Sequence, residues 1–368
     1  MAKRVYLNET IFWKQLRDSD ADIKIMLSDR GPGKSFAVKD LVLDALPEER
    51  FCYLRRNDLE TKAGVAAAYF ADAPLMKKIQ KMGYDGISDY RGEIYLGHTD
   101  PTGKRKSLQQ DTFAGFICAL VSERYYKSIA KYSESNVTNI IYEEFITDGL
   151  YLRDEPAKLE SLWSTFSRNK TKVTMWLIGN TMSRVCPYFL HWGLRGVPRQ
   201  REGTIDRYTH NVTVDDEEKT ITIDVLVIPE LLGQGTGWFS KKKATGTGWV
   251  TNSYPHLKKR ISEYNLMHTL FFNGDMYKFR CLFLQDPATG AAFWYIEPMT
   301  KDIPTDARVV ATSYELIQGY LYGTVGLRPF IPEEKIAIDL LKNGHWCVSD
   351  NLTGDDFNTM MQNMARLK

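Results

Sequence analysis

The eight residues Ser28–Ser35, "SDRGPGKS", constrain this chain more than any other stretch. Gly31 and Gly33 let the backbone curl with its N–H groups turned inward, Lys34 adds a point charge, and Ser35 adds a hydroxyl that can hold a divalent cation. Such a phosphate cradle needs a strand before it and a helix after it. "DIKIMLS" (Asp22 to Ser28) is an apolar β-type run. "SFAVKDLVLDAL" (Ser35 to Leu46) sets Phe36, Val38, Leu41, Val42, Ala45 and Leu46 in a helical segment that Pro47 stops. The glycine that usually opens the loop is here Ser28, a small residue at a strand end. We therefore read Ser28, Asp29, Arg30, Gly31, Pro32, Gly33, Lys34 and Ser35 as nucleotide-binding, with ATP and Mg²⁺ as the expected ligands.

A second β run, "RFCYLRR" (Arg50 to Arg56), follows the helix at once, which is the βαβ rhythm of a parallel sheet with helices on its faces. "VTNIIYEE" (Val137 to Glu144) and "KVTMWLIGN" (Lys172 to Asn180) are apolar runs with polar ends, as expected of buried parallel strands that end at a functional edge. "RGEIYLG" and "AGFICALVSE" flank a Gly/Pro/Lys-rich stretch and predict an inserted hairpin. "KTITIDVLVIPE" (Lys219 to Glu230) is the last β run before a glycine-dense stretch, Gly233 to Trp249, that suits a linker. The expected organisation is an α/β ATPase domain over 1–230, a Gly-rich linker over 231–256, and a smaller α+β domain over 257–368. In that second domain consecutive antiparallel strands turn at Asn273-Gly274 and at Asp286-Pro287.

Hydrolysis of a bound nucleotide needs a carboxylate to hold the metal and another to orient the attacking water. Glu143 is expected in the first role with Ser35, and Glu144 in the second. Asn180, closing the next strand, fits a sensor that couples nucleotide to the rest of the protein. Arg30 fits phosphate contact in cis, and Arg168 in "TFSRNK" fits an arginine offered to a neighbouring subunit, placed on the same sheet edge as the other catalytic groups.

Formal charge is only +2, from 48 Lys and Arg against 46 Asp and Glu, so a polyanion has to be held by local patches. Lys241, Lys242 and Lys243, with Lys258, Lys259 and Arg260, are expected to follow a phosphate backbone without reading bases, a backbone that the resemblance given below implies to be DNA. The five cysteines have no C-x-x-C pair and are expected to be reduced packing residues. No apolar stretch is long enough for a bilayer span, which points to the cytosol.

The strings "SDRGPGKS", "FCYLRR", "NVTNIIYEEFI" and "SRNKTKVTMWLIGN" followed by "CPYF", in this order, resemble the DNA-encapsidation ATPases of phi29-type small tailed phages, relatives of the large terminase motors. The resemblance covers roughly Ile23 to Leu190. It implies a P-loop ATPase domain of the additional-strand, catalytic-glutamate type and a C-terminal domain like a degenerate RNase H nuclease. It also implies a homo-oligomeric ring, expected to be pentameric, on the capsid portal, with a packaging RNA as a further expected partner. The working place would be the cytoplasm of the bacterial host, on the procapsid. Carried over by position, Lys34 and Ser35 bind nucleotide, Glu143 and Glu144 are the acidic pair, and Arg168 is the arginine given in trans. The family pair is Asp-Glu, so Glu143 departs from it by one methylene.

Other functions leave different marks. A terminase with a working nuclease would carry strand-end acids in the second domain, whereas Asp275, Asp286, Glu297, Asp302 and Asp306 fall mostly in turns. A small-molecule kinase would need a lid of arginines near the loop and no second domain. A structural protein with a vestigial loop would not need Glu144 beside Glu143.

Overall fold

The computed structural model describes residues 6–29, 31–102, 108–147, 150–168, 172–181, 184, 186–214, 217–229, 252–273, 277–304, 309–311 and 334–365. The chain divides into two compact units, the first formed by residues 1–146, 152–180 and 199–241 and the second by 147–151, 181–198 and 242–368.

The first unit is built on one nine-stranded sheet. In chain order its elements are α1 (Ile11–Asp18), β1 (Ile23–Ser28), α2 (Lys34–Ala45), β2 (Arg50–Arg55), α3 (Val65–Tyr69), α4 (Ala73–Lys81), β3 (Gly86–Tyr90), β4 (Glu93–His98) and β5 (Gln109–Ala119). They continue with α5 (Glu123–Lys127), α6 (Ala130–Glu134), β6 (Val137–Glu143), α7 (Glu155–Ser167), β7 (Thr174–Asn180), β8 (Thr204–Val214) and β9 (Glu217–Val227). The spatial order is β3-β4-β5-β2-β6-β7-β1-β9-β8. The six central strands, β5 to β9 in that order, run parallel, and antiparallel strands finish both ends.

The central strands bury most of their apolar residues in the sheet interior: all six residues of β1, and the last six of β5, are buried. The expected hairpin is β4–β5, and β5 has a second task, pairing parallel with β2 through Gly115 to Ala119. At Gly115 (φ +157) a Cβ would lie 1.9 Å from the Phe51 carbonyl oxygen, so only glycine lets the two backbones close there. Two edge strands, β3 and β8, had no counterpart in the sequence reading. Both are short of apolar residues, GISDY and TIDRYTHNVTV, and carry little apolar signal.

The second unit holds α8 (Pro187–His191), β10 (Asn265–Asn273), β11 (Lys278–Gln285), β12 (Ala292–Pro298), β13 (Val309–Ala311), α9 (Glu334–Lys342), β14 (Trp346–Val348) and α10 (Asn351–Ala365). β10, β11 and β12 form an antiparallel meander, with β13 parallel to β10 at one edge and β14 parallel to β12 at the other. Leu270, Phe272, Phe279, Trp294, Ile338, Leu341 and Phe357 fill the space between sheet and helices. The turn expected at Asp286-Pro287 joins β11 to β12, closed by Gly290 N–H on the Asp286 carbonyl at 2.8 Å. Gly274, Gly233 to Trp249 and the basic Lys104–Lys106 stretch lie outside the described residues. All five cysteines are buried free thiols, as expected. Among the described residues no helix is long and apolar enough to cross a membrane.

Candidate nucleotide site

Strand register decides which side chains meet. β7 lies between β1 and β6, with Ser28 opposite Asn180 and Ile178 opposite Glu143, so the loop, Asn180 and the acidic pair share the C-terminal edge of the sheet. They line one cavity of about 350 Å³ with Gly31, Pro32, Gly33, Lys34, Ser35, Glu143, Glu144 and Asn180 on its walls. Gly33 (φ +91) is the N-cap of α2, and its left-handed backbone lets the helix begin at the cavity that Gly33, Lys34 and Ser35 line. The N-terminal segment braces the loop from outside: Leu7 N–H donates to the Pro32 carbonyl at 2.9 Å.

Ser28 has a physical reason for being there. Lys34 Nζ folds back to donate to Ser28 Oγ at 2.7 Å, Ser28 O at 3.0 Å, Asp29 O at 2.9 Å and Asn180 Oδ1 at 3.2 Å. A glycine would remove the shortest of these contacts. Lys34, only 6% exposed, is thus held by protein oxygens.

Glu143 ends β6, and Glu144 leaves the strand in a left-handed conformation (φ +56) that non-glycine residues adopt at a cost. The turn is held from both sides. Glu144 N–H donates to Ile178 O at 2.8 Å, and Arg56 donates to the carbonyls of Glu144 (3.1 Å) and Phe145 (2.9 Å). Arg56 is in turn paired with the buried Glu155 at the start of α7, which also accepts from Tyr142 Oη at 2.7 Å and Leu152 N–H at 2.6 Å.

Residues 1–204 match the family described as Podovirus DNA encapsidation protein (Gp16), more than half of the 368-residue chain. The chain belongs to that family. The DNA packaging proteins of Bacillus phages phi29 and PZA are each 25% identical over 195 residues, covering 51% of this chain and 52% of theirs, so the match spans about half the length of these curated relatives. The solved bacteriophage phi29 viral genome packaging motor assembly aligns over 95% of this chain and 98% of its own, at a TM-score of 0.52 and 18% identity, a likeness of fold. The first unit of this family member is an α/β fold with a parallel-rich sheet.

Two groups at the site escaped sequence reasoning. Arg55, at the end of β2, donates to Glu144 Oε2 at 2.8 Å and to Glu60 Oε1 at 2.8 Å, and stands 3.9 Å from Glu143. Burial works against its charge, but Tyr53, Glu60 and Glu144 outweigh that and raise its pKa. Tyr69, on α3, donates to Glu143 Oε1 at 3.1 Å. The available signal was "RR" closing a buried strand on the loop's edge; Tyr69 lies in a helix with no motif.

The remaining predicted residues are less gathered. Arg30 and Lys241–Lys243 lie outside the described residues. Lys258, Lys259 and Arg260 are exposed, with Lys259 paired to Asp286 at 3.2 Å and Arg260 N–H bonded to Glu263. The expectation that Arg168 shares the catalytic edge is not met. α7 starts beside the Glu144 turn and runs back along the sheet, so Arg168, exposed just past its last residue, lies toward the edge where β7 begins. The contact of Trp163 Nε1 with Val173 O at 2.8 Å fixes that end of the helix.

Proposed function

We propose that this chain is the ATP-hydrolysing subunit of a motor that drives double-stranded DNA into a phage procapsid. The observation that carries it is the convergence of Lys34, Ser35, Glu143, Glu144 and Asn180 on one cavity at the N-terminus of α2. In this assignment Lys34 and the loop N–H groups hold the β- and γ-phosphates, Glu144 orients the attacking water, and Asn180 senses the state of the nucleotide through its contact with Lys34. Ser35 and Glu143 are hard oxygen donors on one wall of the cavity and suit Mg²⁺, which when bound neutralises charge on the phosphate oxygens.

We assign ATPase work to residues 1–230, a linker to 231–256 and an RNase H-like domain without nuclease activity to 257–368. The meander with a parallel strand beside its first member supports the domain type. Described acids of that region are engaged in structure: Glu297 accepts from Arg280 across the strand pair, and Asp286 accepts from Ala288 N–H at 2.9 Å in its own turn. DNA contact falls to Lys241–Lys243 and Lys258–Arg260. The working form we infer is a pentameric ring of copies on the capsid portal in the host cytoplasm, with a packaging RNA as an additional partner; membership of the DNA encapsidation family supports the packaging role, and the subunit number and the RNA are carried over from the resemblance alone.

The test is ATP hydrolysis with and without double-stranded DNA. Hydrolysis stimulated by DNA, lost in Lys34→Ala, and lost in Glu144→Gln while ATP still binds is the expected result. Unchanged turnover in Lys34→Ala removes the nucleotide site, and turnover indifferent to DNA favours a small-molecule kinase.

A further inference from the structure

We propose that Tyr69 is a positioning residue for Glu143, fixing the longer carboxylate of this chain where it can hold a divalent cation; this rests on the nucleotide site proposed above. A glutamate at the end of β6 has one more rotatable bond than the aspartate usual there, and a metal ligand that can swing binds its ion weakly unless something orients it. In this chain the orientation comes from behind. Glu143 lines the cavity, its side chain is 13% exposed, and the Tyr69 hydroxyl donates to Oε1 at 3.1 Å from outside the cavity wall.

The phenol is itself held on both faces. Its ring stacks on Tyr53 at 4.0 Å between centroids, and Lys39 Nζ sits 4.3 Å from the ring centre, kept there by Asp72 at 2.9 Å. Arg55, 3.9 Å from the other carboxylate oxygen, adds charge without a close hydrogen bond. Tyr69 is not among the residues that line the cavity, and its one hydrogen bond to a lining carboxylate is the one to Glu143; the ring contact with Lys39, which does line the cavity, survives removal of the hydroxyl.

Tyr69→Phe deletes one oxygen and leaves both stacking partners in place. The experiment titrates Mn²⁺ into the full-length protein with ADP and follows bound metal by electron paramagnetic resonance, with ADP affinity in EDTA measured beside it. Loss of an outer carboxylate partner weakens metal binding about 10–100-fold in known sites; here about tenfold is expected, with metal-free ADP binding and the thermal melt unchanged. In a Glu143→Asp background, whose shorter side chain no longer reaches the phenol, adding Tyr69→Phe should change nothing further. Equal Mn²⁺ affinity in wild type and Tyr69→Phe overturns the proposal, as does an equal loss in both backgrounds. A wild-type protein that retains no Mn²⁺ with ADP removes the nucleotide site itself, and the positioning role with it.

Discussion

Arg55 and Glu144 form an ion pair at 2.8 Å across the ends of β2 and β6, so in this conformation the proposed water-orienting carboxylate already has a cationic partner. A carboxylate held by a guanidinium points toward its partner, not toward a water.

Releasing Glu144 from Arg55 should therefore raise hydrolysis in the absence of DNA. The size is limited by exposure: the Glu144 side chain is 52% exposed, and pairs of that kind are worth about 0.2–1 kcal/mol, so Arg55→Gln should speed basal phosphate release by at most about fivefold. Steady-state phosphate release without DNA checks this. A rate at or below wild type means that Arg55 orients Glu144 for catalysis instead of withholding it.

Ser28→Gly tests why the loop opens on serine. Lys34 loses its 2.7 Å acceptor, and the strand end gains a flexible residue, so the protein should be less stable by about 1 kcal/mol. In the proposed nucleotide site phosphate would replace that acceptor, so ATP affinity should hold within a few-fold or improve. Calorimetric titration and a thermal melt separate the two effects. A loss of affinity beyond tenfold would make the hydroxyl a direct phosphate ligand.

Much of this was legible because local and global signals agree along the loop. "DIKIMLS", the glycines and the apolar helix after Ser35 each call for the same strand-loop-helix, and strands ending in Glu143 and Asn180 follow from apolar runs that stop at polar residues. Topology then brought these ends together. The groups that hold the site were not legible, because their partners are distant in sequence: Arg55 reaches 89 residues to Glu144, and Tyr69 reaches 74 to Glu143. The sheet edge of Arg168 was not legible for a similar reason. Position between two strands does not say at which sheet edge a residue falls, whereas helix length does.

The buried Arg56–Glu155 pair should be costly to break and cheaper to replace. Their side chains are 9% and 0% exposed, and removing one partner leaves an uncompensated buried charge, typically about 3–5 kcal/mol. Arg56→Met should lose about that much by chemical denaturation and also free the Glu144 carbonyl. Adding Glu155→Leu should recover part of the stability but not the hydrolysis, since the left-handed turn at Glu144 still lacks its clamp. Full recovery of hydrolysis in the double variant would show that the clamp is dispensable.

His98 should titrate above the ordinary histidine range. Its Nδ1 meets Asp111 Oδ2 at 2.5 Å and its Nε2 meets the Gly83 carbonyl at 2.8 Å, so both ring nitrogens face acceptors and the doubly protonated form is favoured; Asp111 is the larger cause. With the folded pKa raised, its stabilising contribution is complete below the unfolded value of about 6.5 and fades as pH rises through the folded one. Titration of the His98 ring protons by NMR gives the folded value directly, and Asp111→Asn should lower it. A midpoint at or below 6.5 in the wild type contradicts the pairing.

Arg168 can serve catalysis only from one subunit to another. The 13 residues of α7 rise about 1.5 Å each, which puts Arg168 roughly 20 Å along the helix from the end that Arg56 holds beside the Glu144 turn. An arginine side chain does not span that distance, so its own subunit's cavity is out of reach. If a neighbour's nucleotide receives it, Arg168→Ala alone and Glu144→Gln alone should each hydrolyse poorly, the first for want of the arginine and the second for want of the carboxylate. Mixed together they form some interfaces that pair an intact Arg168 with an intact Glu144, and activity should return to a level neither variant has by itself; arginines of this kind are worth about 10³–10⁵ in rate, so even a minority of such interfaces is measurable. Native mass spectrometry establishes that mixed rings form. Full activity of Arg168→Ala alone, or a mixture that stays inactive while mixed rings are present, eliminates the trans role and makes Arg30, inside the loop itself, the arginine to test next.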